Sequence, residues 1–249
     1  MRLTPEGIRS GLRTRVVGRR IVCVDVCAST NDLAWKEALE GAPEGTVVFA
    51  EEQTAGRGRF GRSWVAPRGK AILCSILLRP EIDLDRVPLV TAVGALAAAD
   101  VAGKEARIRF PNDVMLGGRK LAGILVEARF VGSRPDLFVL GIGLNVNAHP
   151  PGVGAASLGP GVSREAAARA LLEAVEDWYG RLGGSLKDFR KAWRERSFIL
   201  SRRVRVKEAG RSVEGTVEDV DPIDGVILRL DTGHLRSFRG EHVEHLEVL

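Results

Sequence analysis

The chain has 249 residues, 45% of them hydrophobic, and a formal net charge of +5, which favours a globular protein with a full hydrophobic core in one large domain or in one large and one small domain. Its longest apolar run, 87–99, stops at Asp100 and is too short to span a membrane. Three cysteines, an odd number within apolar runs, argue against a disulfide framework and favour a reducing, cytoplasmic compartment.

The first part of the chain alternates predicted strands and helices. Residues 21–27 have the apolar pattern of a strand, and the run Ser29-Thr30-Asn31-Asp32 provides capping residues for a helix that ends near Gly41. Further elements are predicted in chain order: strands over 46–52 and 71–78, a buried helix over 87–103, short strands over 107–110 and 114–116, and a hairpin over 121–130 and 137–146.

The remainder of the chain changes character near residue 197. A loop rich in proline and glycine is predicted over 148–161, followed by helices over 163–182 and 185–196. Beyond them, short strands separated by turns are predicted over 203–208, 212–220, 225–230, 235–238 and 242–248. This spacing is typical of a small barrel, so we predict two domains, 1–196 and 197–249.

The segment between the second and third predicted strands combines glycines with arginines. Gly56, Gly58 and Gly61 alternate with Arg57, Arg59 and Arg62, and Trp64 follows. Such a loop brings main-chain amides and guanidinium groups to an anion. The dinucleotide-binding fingerprint is excluded because Pro67 and Gly69 prevent the helix that it requires. A solvated arginine loop or an RNA-binding segment remains as an alternative.

A second polar cluster lies in the middle of the chain. Lys120 stands between Gly118 and Gly123 at the start of an apolar strand, which is an unusual place for a solvated charge. The alternative is an ion-paired or snorkelling lysine. Asn112 and Asp113 fit either a site or a plain turn. The run Gly141-Ile-Gly-Leu-Asn145 ends a strand with residues that either approach a ligand or bend the strand.

Taken together, these motifs resemble the biotin protein ligase family. The resemblance rests on the order and spacing of five segments: Ser-Thr-Asn at 29–31, the segment 53–64 with Gly-Arg-Gly-Arg-x-Gly-Arg-x-Trp, Pro-Asn-Asp at 111–113, Arg-Lys-Leu-Ala-Gly-Ile-Leu-Val-Glu at 119–127 and Gly-Ile-Gly-Leu-Asn-Val-Asn at 141–147. It implies an α+β fold, with a mixed-sheet catalytic domain of the biotin/lipoate ligase type followed by a small SH3-like β-barrel.

The chain departs from the family pattern in two places. Arg109-Phe110 stands where the family usually has Lys-Trp, which puts any lysine-specific role at that position in doubt. Members that repress transcription carry a winged helix-turn-helix in front of the catalytic domain, and residues 1–20 are too few to hold one. We therefore expect a ligase of the monofunctional type, without regulatory DNA binding.

The resemblance implies an ATP-dependent ligase that forms biotinyl-5′-AMP from biotin and ATP and then passes biotin to one lysine of a biotin carboxyl carrier protein. ATP with Mg²⁺ and biotin are the expected substrates, with no tightly bound prosthetic group. The expected partner is the carrier protein of acetyl-CoA carboxylase or a related carboxylase. A homodimer is a further option, and no membrane contact is expected.

Carried onto matching positions, the family pattern assigns roles to particular residues. Lys120 and Arg59 are the catalytic candidates. The biotin candidates are Ser29, Thr30, Asn31, Gln53, Gly56, Arg57, Gly58, Arg59, Trp64, Lys120 and Gly123. The ATP candidates are Arg59, Arg62, Trp64, Asn112, Asp113, Lys120 and Asn145. Asp113 is also the candidate for holding Mg²⁺ with the nucleotide.

Two other functions are weighed against this one. A lipoate ligase shares the acyl-adenylate chemistry, although the arginine and glycine loop favours biotin. A small nucleic-acid-binding protein would fit the terminal barrel and the positive charge. However, aromatic residues make up only 5% of the chain and do not alternate with basic residues as base-stacking platforms do.

Overall fold

The larger of two β-sheets has seven strands in the computed structural model, which describes residues 2–152 and 154–249. The strands are β1 (Ile21–Cys27), β2 (Val47–Gln53), β3 (Ala71–Leu78), β4 (Arg107–Arg109), β5 (Asp113–Leu116), β6 (Arg119–Val131) and β7 (Arg134–Asn145). They lie in the order β1-β2-β3-β7-β6-β5-β4, with β1 and β2 parallel and the other neighbours antiparallel. The predicted mixed sheet is therefore confirmed.

Helices cover this sheet and fill its core. They are α1 (Pro5–Arg9), α2 (Thr30–Leu39), α3 (Pro88–Ala102), α4 (Arg164–Tyr179) and α5 (Lys187–Glu195). The alanine-rich α3 is buried along most of its length, and Gly94 lets it approach β6, because an added Cβ there would lie 2.9 Å from Ile124 Cγ2. Within the described residues, none of these helices combines the length and the apolar character needed to cross a membrane.

Helix α1 was not predicted from the sequence. Its signal is the pair Thr4-Pro5: the Thr4 side chain accepts a hydrogen bond from Gly7 N at 3.1 Å, and proline occupies the first turn. A buried ion pair ties this N-terminal segment to the core. Glu51 accepts from Leu3 N and from Arg164 Nη1, both at 2.7 Å. Val153, in the loop predicted over 148–161, lies outside the described residues.

The C-terminal part forms a second sheet, which is antiparallel throughout. Its strands are β8 (Arg203–Glu208), β9 (Arg211–Asp221), β10 (Gly225–Arg229), β11 (Leu235–Phe238) and β12 (Val243–Val248), in the order β11-β10-β9-β8-β12. Val204, Val206 and Val217 are buried on its inner face. Exposed cross-strand ion pairs, such as Arg205 with Glu214, occupy the outer face. This alternation is what the sequence pattern of a half-buried strand predicts.

The segment that leads into the second sheet is attached to β4, at the end of the first sheet. Ile108 N donates to Arg196 O at 2.6 Å, and Phe198 N donates to Ile108 O at 2.8 Å. The turn before β12 comes equally close: an added Cβ at Gly240 would lie 3.2 Å from Pro111 Cβ. The C-terminal sheet therefore borders the Pro-Asn-Asp turn, where the sequence placed one of its polar clusters.

Candidate active site

The glycine and arginine segment between β2 and β3 folds into a small hairpin, residues 56–64, which we call the arginine hairpin. Gly58 N donates to Arg62 O at 2.6 Å, and Trp64 N donates to Gly56 O at 2.9 Å. Phe60 (φ 54°) and Gly61 (φ 71°) form its tip in the left-handed region. This backbone conformation is strained for phenylalanine, which has a Cβ, and is readily adopted by glycine.

Trp64 leaves the arginine hairpin and lies flat on two glycines of the sheet. Gly123 of β6 pairs with Gly143 of β7, and both are under the indole. An added Cβ at Gly143 would lie 2.3 Å from Trp64 Cε2, and one at Gly123 would lie 2.9 Å from Trp64 Cζ3. The glycines are therefore required by the packing of Trp64, so the second glycine of the Gly-Ile-Gly run has a role that the sequence alone left open.

Replacing Gly143 by alanine is expected to push Trp64 off the sheet. Overpacking of this kind costs about 1–3 kcal/mol. The displaced indole should also weaken the binding of biotin, the ligand that the sequence predicts, by at least about tenfold. Thermal unfolding and calorimetric titration with biotin measure the two effects. Gly183→Ala is the matched control, because an added Cβ at Gly183 meets no atom within 4 Å. Equal biotin affinity in the two variants would contradict the packing argument.

Lys120 lies over the same indole. Its Nζ is 5.4 Å from the centroid of the Trp64 ring and 2.7 Å from Asp113 Oδ1. The other carboxylate oxygen of Asp113 accepts from Arg109 Nη2 at 2.6 Å. Lys120 is thus ion-paired, as the alternative interpretation of the sequence anticipated, yet its side chain is still 35% exposed and lines the cavity.

The floor of the cavity is a buried polar cluster at the start of α2. Thr30 N and Thr30 Oγ1 donate to Gln53 Oε1 at 2.7 and 3.0 Å. Ser75 Oγ lies 2.8 Å from Thr30 Oγ1 and 2.6 Å from Asn31 Oδ1. Ser29 is buried beside them. The sequence analysis missed Ser75, whose signal is a single hydroxyl within the apolar strand β3.

Asn31 also explains the first glycine of the Gly-Ile-Gly run. An added Cβ at Gly141 would lie 2.4 Å from Asn31 Oδ1, so a side chain there would displace the amide. Gly141 and Gly143 are two residues apart on β7 and therefore face the same side of the sheet. One face of β7 is thereby kept open for two side chains that come from elsewhere in the chain.

The three arginines of the hairpin diverge to different partners. Arg57 donates to Asp32 Oδ2 at 2.8 Å and to Glu127 Oε1 at 2.9 Å. Arg59 and Arg62 instead reach the C-terminal sheet. Arg59 Nη2 donates to Gly240 O at 2.5 Å, and Arg62 Nη2 donates to Glu244 O at 2.9 Å. The sequence analysis missed this wall, because main-chain carbonyls carry no residue-type signal.

The electrostatic surroundings of Arg57 and Arg59 differ. Hydrogen bonds to Asp32 and Glu127 raise the pKa of Arg57. Burial lowers the pKa of Arg59, although the carboxylates of Asp113 and Glu241 partly oppose that shift. The charge of Arg57 is therefore matched by two carboxylates in contact with it, whereas Arg59 holds its charge in a partly desolvated setting. Of these two arginines, Arg59 should therefore gain more from binding an anion in the cavity.

Most of the predicted residues line one cavity. It is bordered by Ser29, Thr30, Asn31, Gln53, Arg57, Gly58, Arg59, Arg62, Trp64, Asn112, Asp113, Lys120 and Gly123. Gly56 and Asn145 lie behind the wall: an added Cβ at Gly56 would be 2.4 Å from Trp64 O, and Asn145 Nδ2 donates to Ala156 O at 3.0 Å. Phe110 and His245 are wall residues that the sequence analysis did not assign.

The Pro-Asn-Asp turn is attached to β6 through Asn112. Asn112 Nδ2 donates to Ile124 O at 2.8 Å, and Ile124 N donates to Asn112 O at 3.0 Å. On the other side of Lys120, Ala156 N donates to Lys120 O at 2.8 Å, which brings the loop after β7 over the lysine. Lys120 is thus held between two loops, where it is accessible from the cavity and restricted elsewhere.

Comparison with known proteins places these features in context. Residues 23–145 match the sequence model of the biotin/lipoate A/B protein ligase family. A biotin–(acetyl-CoA-carboxylase) ligase of Mycobacterium tuberculosis is 33% identical over 253 residues, which is 93% of this chain and 92% of that protein. The bifunctional ligase/repressor BirA of Bacillus subtilis is 40% identical over 153 residues, or 60% of this chain. The match spans only 47% of that relative's length.

Solved structures share the fold. A biotin protein ligase from Aquifex aeolicus, in complex with biotin and ATP, superposes with a TM-score of 0.78 at 22% identity and covers 93% of this chain and 100% of that one. A Leishmania major biotin protein ligase in complex with biotinyl-5-AMP gives a TM-score of 0.61 at 19% identity, covering 88% of this chain and 98% of that one. Both likenesses extend from the mixed sheet into the C-terminal part.

Proposed function

Because the chain belongs to the biotin/lipoate A/B protein ligase family, we propose that it is an ATP-dependent biotin protein ligase. In this proposal it joins biotin and ATP to biotinyl-5′-AMP, releasing pyrophosphate, and then transfers biotin to a lysine of a carrier protein. The observation that supports this most directly is Lys120, which lies between a polar floor and the Trp64 wall in one cavity. Biotin has this division: a ureido ring, an apolar body and a carboxylate.

The first half-reaction requires positive charge and no general base. A carboxylate must approach the α-phosphate while both are anionic, and the nucleophile is already ionised. Fixed cations in a cavity that excludes water stabilise the charge that concentrates in the transition state. We assign Lys120 to the biotin carboxylate and the α-phosphate in both half-reactions. Asp113 positions it, since that carboxylate holds Lys120 Nζ at 2.7 Å.

The ring end of biotin is assigned to the floor of the cavity. Ser29, Thr30 and Gln53 offer the mixed donors and acceptors that a ureido group requires, and Asn31 adjoins them. Trp64 supplies an apolar wall together with Gly123, whereas Ala122, which the sequence also suggested for this wall, is buried in the core. The Trp64 wall exists only when the arginine hairpin is folded against the sheet, so we propose that the hairpin closes over biotin and retains the mixed anhydride.

The nucleotide is assigned to the side of the cavity that faces the C-terminal sheet. Arg59 and Arg62 would hold the phosphates and the adenylate, with Asn112 at the turn and Asn145 as support for the loop that follows β7. Mg²⁺ would arrive with ATP. Both oxygens of Asp113 already contact cations, and the described residues contain no cluster of three His, Cys, Asp or Glu side chains suited to a metal. Asp113 is therefore better suited to holding Lys120 than to binding Mg²⁺.

The second half-reaction passes the acyl group to a protein lysine. The names of relatives such as the Paracoccus denitrificans biotin–(acetyl-CoA-carboxylase) ligase support a carboxylase carrier protein as the acceptor. The incoming amine must lose a proton, and its free pKa is about 10.4. Because Asp113 is engaged with Lys120 and Arg109, we assign it to holding Lys120 and not to deprotonating the acceptor.

The domain division, the cellular location and the oligomeric state are also proposed. We propose that residues 1–196 form the catalytic domain and that 197–249 form an SH3-like barrel, which is supported by the antiparallel order of the second sheet. A cytoplasmic setting is supported by three free cysteines, whose thiol pKa values burial raises to about 11 or 12. A homodimer is a prediction of the resemblance alone. The nucleic-acid-binding alternative is not favoured.

Exchange of labelled pyrophosphate into ATP tests the proposal. We expect the exchange to depend on biotin. When a carrier domain is added, we expect it to be biotinylated at one lysine. Lipoate and octanoate in place of biotin test the lipoate ligase alternative, because a cavity with a polar floor should reject a simple acyl chain that leaves its hydrogen bonds unmade. Exchange supported equally by lipoate would contradict the assignment.

A further inference from the structure

Arg57 is bound by a pair of carboxylates, Asp32 and Glu127, to which the proposed function assigns no role. Asp32 belongs to the first turn of α2, and Glu127 lies on β6, so one guanidinium joins the arginine hairpin to two separate elements. Arg57 is 40% exposed at this contact, and Glu127 is 28% exposed. Arg57 lines the cavity, and Glu127 lines a neighbouring surface pocket together with Arg57 and Phe60.

Glu127 is held from both sides, which sets it apart from an ordinary surface ion pair. Its Oε1 accepts from Arg57 Nη2 at 2.9 Å, while its Oε2 accepts from Trp35 Nε1 of α2 at 2.7 Å. Burial alone would raise the pKa of Glu127, but the hydrogen bonds from Arg57 and Trp35 outweigh it and lower the pKa. Two fixed donors remove most of the rotamer freedom that makes exposed pairs weak.

The other two arginines of the hairpin have different partners. Arg59 and Arg62 donate to main-chain carbonyls of the C-terminal sheet, whereas Arg57 is the one that points to α2 and β6. The hairpin is thus anchored to two parts of the molecule, and Trp64 follows these arginines in the chain. Loss of either anchor should let the indole leave the glycine pair and open the cavity.

We propose that Asp32 and Glu127 are positioning residues that act through Arg57, with Trp35 fixing Glu127, to keep the arginine hairpin closed over the reaction intermediate. Retention of the intermediate rests on the proposed function, whereas closure of the hairpin does not. Arg57 is then a tether rather than an anion ligand, and the anion-binding charge of the hairpin comes from Arg59 and Arg62.

Two readouts test the proposal, and the first requires no activity. Chymotrypsin should cut after Phe60, which is 53% exposed at the hairpin tip. Glu127→Gln should accelerate this cleavage about tenfold, since proteolysis follows the population of the open form. Trp35→Phe keeps every charge and removes only the donor to Oε2, so it should give a smaller acceleration in the same direction. Asp136→Asn, which breaks the exposed pair with Arg129 elsewhere on the β6–β7 hairpin, is the control and should cut at the wild-type rate.

The second readout is release of biotinyl-5′-AMP into solution. We expect Glu127→Gln to speed release about tenfold while pyrophosphate exchange stays within about twofold of the wild type. In an Arg57→Gln background, Glu127→Gln should have no further effect on cleavage or release, because the contact between Arg57 and Glu127 is already absent. Additive effects, or wild-type cleavage in both Glu127→Gln and Trp35→Phe, would overturn the positioning role. Absence of exchange in the wild type would instead count against the proposed function, with the cleavage results still deciding the tether.

Discussion

Replacing Lys120 by alanine should slow biotin-dependent pyrophosphate exchange by about two to three orders of magnitude, the range seen when one preorganised charge or donor is removed from a transition state. Lys120 carries the only ammonium group on the cavity wall formed by the described residues. Its loss leaves the carboxylate and the α-phosphate without a cation between them. The rate should fall much more than the affinity for biotin, because the floor still holds the ring after the contact of Lys120 with the carboxylate is lost.

The fold should survive this substitution. Asp113 keeps Arg109 as a partner at 2.6 Å, so removal of Lys120 does not strand a partly buried carboxylate. Circular dichroism and the unfolding temperature check this point. Arg119→Ala is a suitable control, because Arg119 is the neighbouring exposed cation at the start of β6 and does not line the cavity. Near-normal exchange in Lys120→Ala would remove Lys120 from the mechanism.

Substitution of Arg59 by glycine should release the adenylate rather than abolish its formation. Arg59 Nη2 joins the arginine hairpin to Gly240 O at 2.5 Å and brings a partly desolvated charge to the nucleotide side of the cavity. Without it we expect biotinyl-5′-AMP to leave at least about a hundredfold faster, a loss of about 2.7 kcal/mol, which is within the range for a charged hydrogen bond.

The measurable consequence is indiscriminate labelling. A released mixed anhydride reacts with any accessible amine, so a bystander protein in the assay should become biotinylated by Arg59→Gly and not by the wild type. Arg68→Gly provides the control, because Arg68 follows the same hairpin but pairs at the surface with Asp25 and Glu52. Retention of the intermediate by Arg59→Gly, at the wild-type rate of release, would refute the role of Arg59.

Much of the fold follows from the sequence because its strands are short apolar runs between strong breakers. β1 and β3 begin and end where the pattern changes, and Gly117-Gly118 separates β5 from β6. Helix α1 escaped because a five-residue helix has too few apolar positions to show a period, so only its cap reveals it. The packing of the C-terminal sheet against the turn at 110–113 depends on long-range contacts that no local pattern encodes.

The site was predictable where residue type carries the chemistry and was not where packing does. Lys120, Trp64 and the polar residues at 29–31 are unusual for their local setting, and the structure brings them to one cavity. Ser75 was missed because a single serine within an apolar strand is common and does not indicate a site. The partner of Arg57 could not be foreseen either, because Glu127 is 70 positions away in sequence and only the sheet brings the two side chains together.

The main-chain acceptors on the C-terminal sheet have an evolutionary consequence. Gly240 and Glu244 hold Arg59 and Arg62 through carbonyl oxygens, which every amino acid possesses. The side chain of Glu244 can therefore vary without breaking the contact, although Gly240 is kept small because an added Cβ would lie 3.2 Å from Pro111 Cβ. The two arginines are less replaceable, because lysine has neither their reach nor their planar head group. In a library that varies both groups of positions, we expect more substitutions to be tolerated at Glu244 than at Arg59 and Arg62.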